Sequence, residues 1–315
     1  MGVKHLDERK KLDRKKRAKK WGNALYVLVR GIIVCGVCYY VLFPILQSFF
    51  QTFMARTDLY DSTVDLIPKN WTFDNLKIMF KAVNIPSTTL TTLGICLLVT
   101  ATQLCSCTLV GYGFARFKFP LKNALFMLVI FTLVVPPQTI ITPLYLNFRN
   151  FAGTGLNLLN TVFPFGILGI TAMGLKNGLY IFMIRQFYRN VPKELEEAAM
   201  IDGAGFLRTF VSVMLPSAKP ILSVVAIFSL VWQWTDTFYN GWFAPNIKVL
   251  STQILAVPTN LSVIQELLGV SVIEDGYDRL LNGTGSLIIM LPLIIFYIFT
   301  QRAFVESVER GGIVG

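Results

Sequence analysis

The chain has 315 residues, of which 54% are hydrophobic and 15% charged, and its 29 Lys+Arg outnumber 18 Asp+Glu for a net charge of +11. A soluble domain carries about 25% charged residues, so with a mean hydropathy of +0.57 an ordinary soluble enzyme, a disordered chain and a disulfide-stapled scaffold are all excluded. The apolar residues fall in long blocks, the pattern of a polytopic membrane protein.

The first segment, residues 1–23, is a basic tail with ten cations between Lys4 and Lys20. A basic run directly ahead of a spanning helix is a topology signal, because Lys and Arg resist translocation. That reading is preferred to nucleic-acid binding. Asp7, Glu8 and Asp13 argue against a mitochondrial presequence. The long apolar block that follows, with no small-residue cleavage site, argues against a signal peptide.

Apolar windows of spanning length, about 20 residues, run near 25–50, 88–114, 121–146, 161–187, 221–239 and 286–304. The expected fold class is therefore all-α, with six transmembrane helices. An even number puts both termini on one side, and the tail makes that side cytoplasmic. The remaining charges agree. Only Arg56, Lys69, Lys77, Lys81, Arg149, Lys248 and Arg279 fall in exterior segments, and Arg30 and Lys176 lie inside spans.

Cys35, Cys38, Cys96, Cys105 and Cys107 all sit in apolar stretches, so no disulfide framework is implied. The C-x-x-C at Cys35 and Cys38 reads as small buried packing residues. Pro44, Pro136, Pro137, Pro164 and Pro292 lie within the spans and predict kinks. Of the exterior loops, 51–86 reads as an ordered turn hugging the interface around Pro68, Asn70 and Trp71. The other, 240–285, contains an apolar stretch, 261–272, expected to lie as a helix on the outer surface.

Between the fourth and fifth spans runs a cytoplasmic loop, 191–216. Pro192 suits a first helical position, and Glu194, Glu196 and Glu197 suit the positive end of a helix dipole. Gly203 and Gly205 allow the backbone to turn. Leu207, Phe210, Val211 and Met214 then form one apolar stripe of a second helix, and Pro216 marks the bend into the fifth span. A helix of about ten residues is marginal alone. Spacing leaves open whether this helix–turn–helix docks on a partner or is a connector tucked under the bundle.

The loop resembles the E-A-A-x3-G-x9-I-x-L-P signature of ATP-binding cassette importer permeases. It reads Glu197-Ala198-Ala199, Gly203 and Val213-Met214-Leu215-Pro216, with Val213 in place of Ile. The segments 111–117, 136–145, 185–187, 192–199 and 301–305 are similar to carbohydrate-uptake permeases of the maltose type, and the resemblance covers roughly 71–305. It implies a transmembrane domain over 24–315 whose loop is a coupling helix seated in an ATPase cleft through Glu197, Ala198, Ala199, Asp202, Gly203, Leu215 and Pro216. It also implies a second, different permease subunit, two ATP-binding subunits and an extracellular solute-binding protein, in a bacterial cell membrane. No G-x-x-x-x-G-K-[ST] phosphate loop occurs in the sequence, so ATP is expected on the partner and this chain is expected to carry no cofactor.

Sugar sites pair aromatic platforms with amides and carboxylates, which directs attention to the end of the fifth span. There Trp232 and Gln233 are pathway candidates, Asp236 reads either as a pathway carboxylate or as a solvated rim charge, and Trp234 and Tyr239 read either as part of the aromatic platform or as interfacial anchors. Lys176 and Asn177 interrupt the fourth span, and an intramembrane cation is a functional hypothesis by default. Snorkelling of Lys176 to the inner interface is the alternative. An ion pair between Lys176 and Asp236 is not expected on straight helices. The lone His5 and the absence of mid-membrane carboxylate pairs leave metal and nucleophile chemistry without support, and the spans lack the buried acids of proton- or sodium-coupled carriers. The expected function is thus import of a carbohydrate, or by the same machinery a polyol or glycerol phosphate, without catalysis by this chain.

Overall fold

The computed structural model describes residues 2–259, 261–269 and 276–312. The helices among them are α1 (Gly2–Phe53), α2 (Asp74–Val83), α3 (Ile85–Arg116), α4 (Lys122–Phe131), α5 (Pro137–Arg149), α6 (Phe163–Ile170), α7 (Asn177–Asn190) and α8 (Glu194–Ile201). They continue with α9 (Phe206–Thr209), α10 (Leu215–Ser217), α11 (Lys219–Trp234), α12 (Phe238–Phe243), α13 (Leu250–Ala256), α14 (Leu261–Leu268) and α15 (Tyr277–Gly312). Among the described residues, extended pairing is limited to one bridge between Met54 and Trp71.

Helix α3 is the centre of the bundle and packs against α6, α7 and α11. Asn84, at φ 51, turns the chain out of α2, and Pro86 opens α3 where its missing N–H costs nothing. Its buried threonines hide their hydroxyls in the helix itself: Thr92 Oγ1 donates to the Thr88 carbonyl at 2.7 Å. Gly111 sits against α7, where an added Cβ would stand 2.8 Å from Ile184 Cγ2 and 3.2 Å from the Arg185 amide nitrogen. Small residues of this kind let two helix backbones approach. Gly111→Leu is therefore expected to wedge α3 from α7 at about 1–3 kcal/mol. The check is the thermal midpoint of the detergent-solubilised protein, and an unchanged midpoint would contradict the close contact.

Three stretches among the described residues, Leu25–Phe53, Ile85–Arg116 and Tyr277–Gln301, are uninterrupted helices long and apolar enough to cross a membrane. The other expected spans are broken. Residues 121–146 divide into α4 and α5 at Pro136 and Pro137, neither of which has an N–H to continue a helix. Residues 161–187 divide into α6 and α7, with Ala172 at φ 57 and Lys176 at φ 61 in the break. The fifth is a bent pair, 74° between Phe206–Ser217 and Lys219–Trp234. Pro44 and Pro292, by contrast, lie inside helices that run on.

α1 packs against α15, yet every side chain from Leu25 to Leu42 is exposed. Cys35 and Cys38 are exposed with them, so they are not the buried packing residues expected. Among the described residues nothing covers that half of the helix.

The loop after α1 is ordered, as expected, but through a carboxylate. Asp58 is buried and accepts from the Lys69 and Asn70 amides at 2.8 Å each and from Asn70 Nδ2 at 2.6 Å. Burial raises its pKa, but these hydrogen bonds outweigh that and hold it below the ordinary carboxylate value. Asn75 Nδ2 caps the end of α1 on the carbonyls of Gln51, Thr52 and Met54, and Tyr277 donates to Asn75 Oδ1 at 2.8 Å. α14 does not lie loosely on the surface: Ile264 is buried in one core with Met79, Tyr277 and Leu280. Residues 270–272 of the expected stretch fall outside the described residues.

Candidate functional site

α8 is a two-turn helix with no buried residue. It ends because Gly203 adopts φ +85, and the closing bonds run from the Ala204 amide to the Ala199 carbonyl and from the Gly203 amide to the Met200 carbonyl, each 3.0 Å. This is the Schellman arrangement, for which a residue without Cβ is favoured. Gly205 has an ordinary φ of −72, so only one of the two glycines makes the turn.

The chain after the turn is not one helix with one stripe. Residues Phe210–Met214 form a π-turn between α9 and α10, and the stripe divides. Phe210 and Met214 are buried, whereas Leu207 is 79% exposed and Val211 is also exposed. Leu195, Met200 and Ile201 (86% exposed) on α8 and Phe206 on α9 are exposed as well.

One charge pair fixes α8 to the bundle. Arg116 Nε, at the end of α3, donates to Glu196 Oε1 at 2.7 Å, with side chains only 7% and 12% exposed. Its Nη2 reaches the Val191 carbonyl, also at 2.7 Å. Phe117 meets Phe206 edge-on, and Tyr112 packs on Tyr188 and Phe210 beneath. Glu196 therefore faces inward while Glu197, Ala198, Asp202, Gly203 and Pro216 are exposed and Ala199 and Leu215 half-buried. Arg116 was legible only as one cytoplasmic cation among many, since no sequence spacing links it to Glu196, 80 positions away.

The second feature is a cleft of about 170 Å³ at the two helix breaks, lined by Thr132, Pro137, Lys176, Asn177, Gly178 and Tyr239 among others. Lys176 Nζ lies 4.6 Å from the centre of the Trp232 ring, a cation–π distance. Asn177 is 2% exposed. Its Oδ1 accepts from Gln103 Nε2 at 2.5 Å, and Gln103 Oε1 accepts from Ser229 Oγ at 2.5 Å. This tie crosses α3, α7 and α11. Asn177 Nδ2 and Gln233 Nε2 are buried without a partner. Gln233 borders a smaller void, beside Gly174, Leu175 and Tyr239, residues that also line the cleft.

Lys176, Asn177, Trp232 and Gln233 are thus brought to one region. Asp236 is not with them, and it is not a solvated rim charge. α11 stops at Trp234, so no straight helix carries Asp236 outward. Its buried carboxylate accepts from the Tyr239 and Asn240 amides at 3.2 and 3.0 Å. Trp234 and Tyr239 are buried too, and Trp234 Nε1 donates to the Ile289 carbonyl at 3.2 Å, so neither is an interfacial anchor. Among the described residues Lys176 and Asp236 form no ion pair, as expected.

Comparison with known proteins identifies the family. The chain is 28% identical over 282 residues to the arabinooligosaccharides transport system permease protein AraQ of Halalkalibacterium halodurans, covering 89% of this chain and 93% of that one. It is 28% identical over 293 residues to the trehalose transport system permease protein SugB of Mycobacterium tuberculosis, covering 93% and 98%. It is 25% identical over 293 residues to the sn-glycerol-3-phosphate transport system permease protein UgpE of Yersinia pestis, covering 90% and 96%. A crystal structure of a bacterial ABC transporter involved in import of the acidic polysaccharide alginate has a chain of the same fold, with TM-score 0.73 at 20% identity over 90% of this chain and 98% of that one. The family described as "Binding-protein-dependent transport system inner membrane component" matches residues 108–310, well over half of the sequence. The chain belongs to that family: it is a membrane permease component of an ABC importer and not an enzyme.

Proposed function

We infer that this chain forms one half of the translocation pathway of an ATP-driven carbohydrate importer, its substrate an oligosaccharide. It crosses the bacterial cell membrane six times with both termini cytoplasmic, the basic tail of residues 1–23 ahead of a transmembrane domain over 24–315. ATP is bound by two partner ATPases, a second, non-identical permease completes the pathway, and an extracellular binding protein delivers the sugar. Glu197, Ala198, Ala199, Asp202, Gly203, Leu215 and Pro216 form the contact with the ATPase.

The observation that carries this reading is the uncovered apolar surface of α8 and α9, including Ile201 and Leu207, held on the bundle by one buried ion pair. A short helix that buries nothing of its own gains its stability by docking. The names of the relatives support a sugar substrate, and the glycerol-phosphate relative keeps a phosphorylated polyol as the second reading. The test is affinity capture of the tagged chain in mild detergent. An ATPase and a second permease are expected to copurify, with ATP turnover confined to that assembly. Capture of the chain alone, or substrate turnover by the isolated chain, refutes the proposal.

A further inference from the structure

The cleft at the two helix breaks holds a cation with no ion-pair partner among the described residues. Lys176 is half-buried within a broken apolar span, and no carboxylate among the described residues reaches it. Asp236, four residues beyond Trp232, accepts from the backbone amides of Tyr239 and Asn240 instead. Two helices begin at the same cleft, α5 at Pro137 and α7 at Asn177, with 13 and 14 residues behind them. Each presents the positive end of its dipole, although in the first turns the Thr139, Asn177 and Leu179 amides already donate to the Pro136, Gly174 and Lys176 carbonyls. Asn177 adds a side-chain donor, Nδ2, that is buried and unpartnered. The connection between the breaks is strained, since Ala172 and Lys176 both take positive φ. Strain of this kind persists where surrounding structure enforces it and clusters at ligand sites. Lys176, the Asn177 amide nitrogen and the two helix starts supply the donors and positive ends, as in anion sites built at helix N-termini, set against the ends of α4 and α6 at Thr132, Leu133 and Ala172.

We propose that this cleft receives the anionic group of the transported sugar, so that the substrate class is an acidic carbohydrate, carrying a carboxylate or a phosphate, rather than a neutral one. The inference rests on the importer reading above and narrows its substrate. A volume of about 170 Å³ is below the roughly 300–1,000 Å³ of clefts that enclose a whole small ligand, so the cleft takes the charged group and its ring while the rest of the sugar lies in the open pathway. Trp232 holds Lys176 until the anion arrives, because a cation–π contact is weaker than a charge-assisted hydrogen bond. Binding then draws Nζ off the indole, which makes Trp232 a reporter.

The experiment uses the whole importer in lipid nanodiscs, without its binding protein, and measures the intrinsic fluorescence change with galacturonate, glycerol 3-phosphate and glucose as probes, each repeated on Trp232→Phe. Saturable signals with the two anions, lost in Trp232→Phe and absent with glucose, are expected. A dominant response to galacturonate assigns the carboxylate form and a dominant response to glycerol 3-phosphate the phosphate form. Lys176→Met is expected to weaken the anion response at least about tenfold and Lys176→Arg to retain it. Glucose binding as well as the anions do, or Lys176→Met binding anions like the parent, overturns the proposal. ATP-driven uptake by the complete importer is followed in parallel. If uptake of neutral sugars is ATP-driven while the anions give no signal, only the substrate class is wrong. If no sugar is taken up at the expense of ATP, the importer reading fails with it.

Discussion

Gly203→Asp is expected to abolish ATP-driven uptake while the chain still inserts and assembles its bundle. Gly203 closes α8 at φ +85, and an added Cβ there meets no atom of this chain within 4 Å. The substitution therefore does not clash internally. Its local cost is the left-handed backbone, which Asp tolerates better than most residues, at about 1–2 kcal/mol. The larger effect falls on the docked partner, because a carboxylate arrives among Ile201, Phe206 and Leu207. An unpaired charge buried in an interface costs several kcal/mol, and about 3 kcal/mol is already about a 100-fold loss of affinity. The measurement is ATPase copurification together with uptake in vesicles. Gly203→Asn separates the causes, since it shares the backbone preference without the charge and should retain most binding. Normal uptake by the Asp variant would remove this turn from the interface.

The second large effect is expected at Arg116. Arg116→Ala leaves the Glu196 carboxylate, only 12% exposed, unpaired and takes the donor from the Val191 carbonyl. Removing one member of a buried pair costs about 3–5 kcal/mol, chiefly from the stranded charge. Here that destabilisation concentrates on the 191–201 segment, because α8 buries no side chain to resist it. Hydrogen exchange across 191–205 should accelerate while the core of α3 and α7 stays protected, and uptake should fall. Adding Glu196→Gln to Arg116→Ala should recover part of the loss, because the stranded charge is gone. If Arg116→Ala alone leaves exchange in this segment unchanged, the pair does not anchor the loop.

Much of this was legible before any coordinates. The loop 191–216 could be read locally, because acids in the opening turn, a glycine at the end of α8 and a proline before α11 are short-range signals. The breaks were half legible. Pro136 and Pro137 announced a kink that became a full interruption between α4 and α5, whereas the interruption at 171–176 rests on positive φ at Ala172 and Lys176 that no residue-type rule demands. What escaped were facts of tertiary context. Asp236 read as exposed because a straight helix was extended past Trp234, and Trp234 and Tyr239 read as anchors because aromatic residues near a span end often are. The apolar stripe 207–214 divided because a π-turn changes which side chains share a face. Arg116 with Glu196, and Gln103 with Asn177 and Ser229, are pairings across long sequence distances that one sequence cannot reveal.

The elbow at Ala218 has a mechanical corollary. Ala218 is fully enclosed, and the arms on either side meet at 74°, the shape of a bell crank with one small residue at its corner. α11 has 16 residues, which is about 24 Å of rod. A rotation of roughly 10° about the pivot sweeps its far end by about 4 Å. That far end carries Trp232 and Gln233, so a rotation of that size, transmitted from the inner arm, would lift the indole away from Lys176.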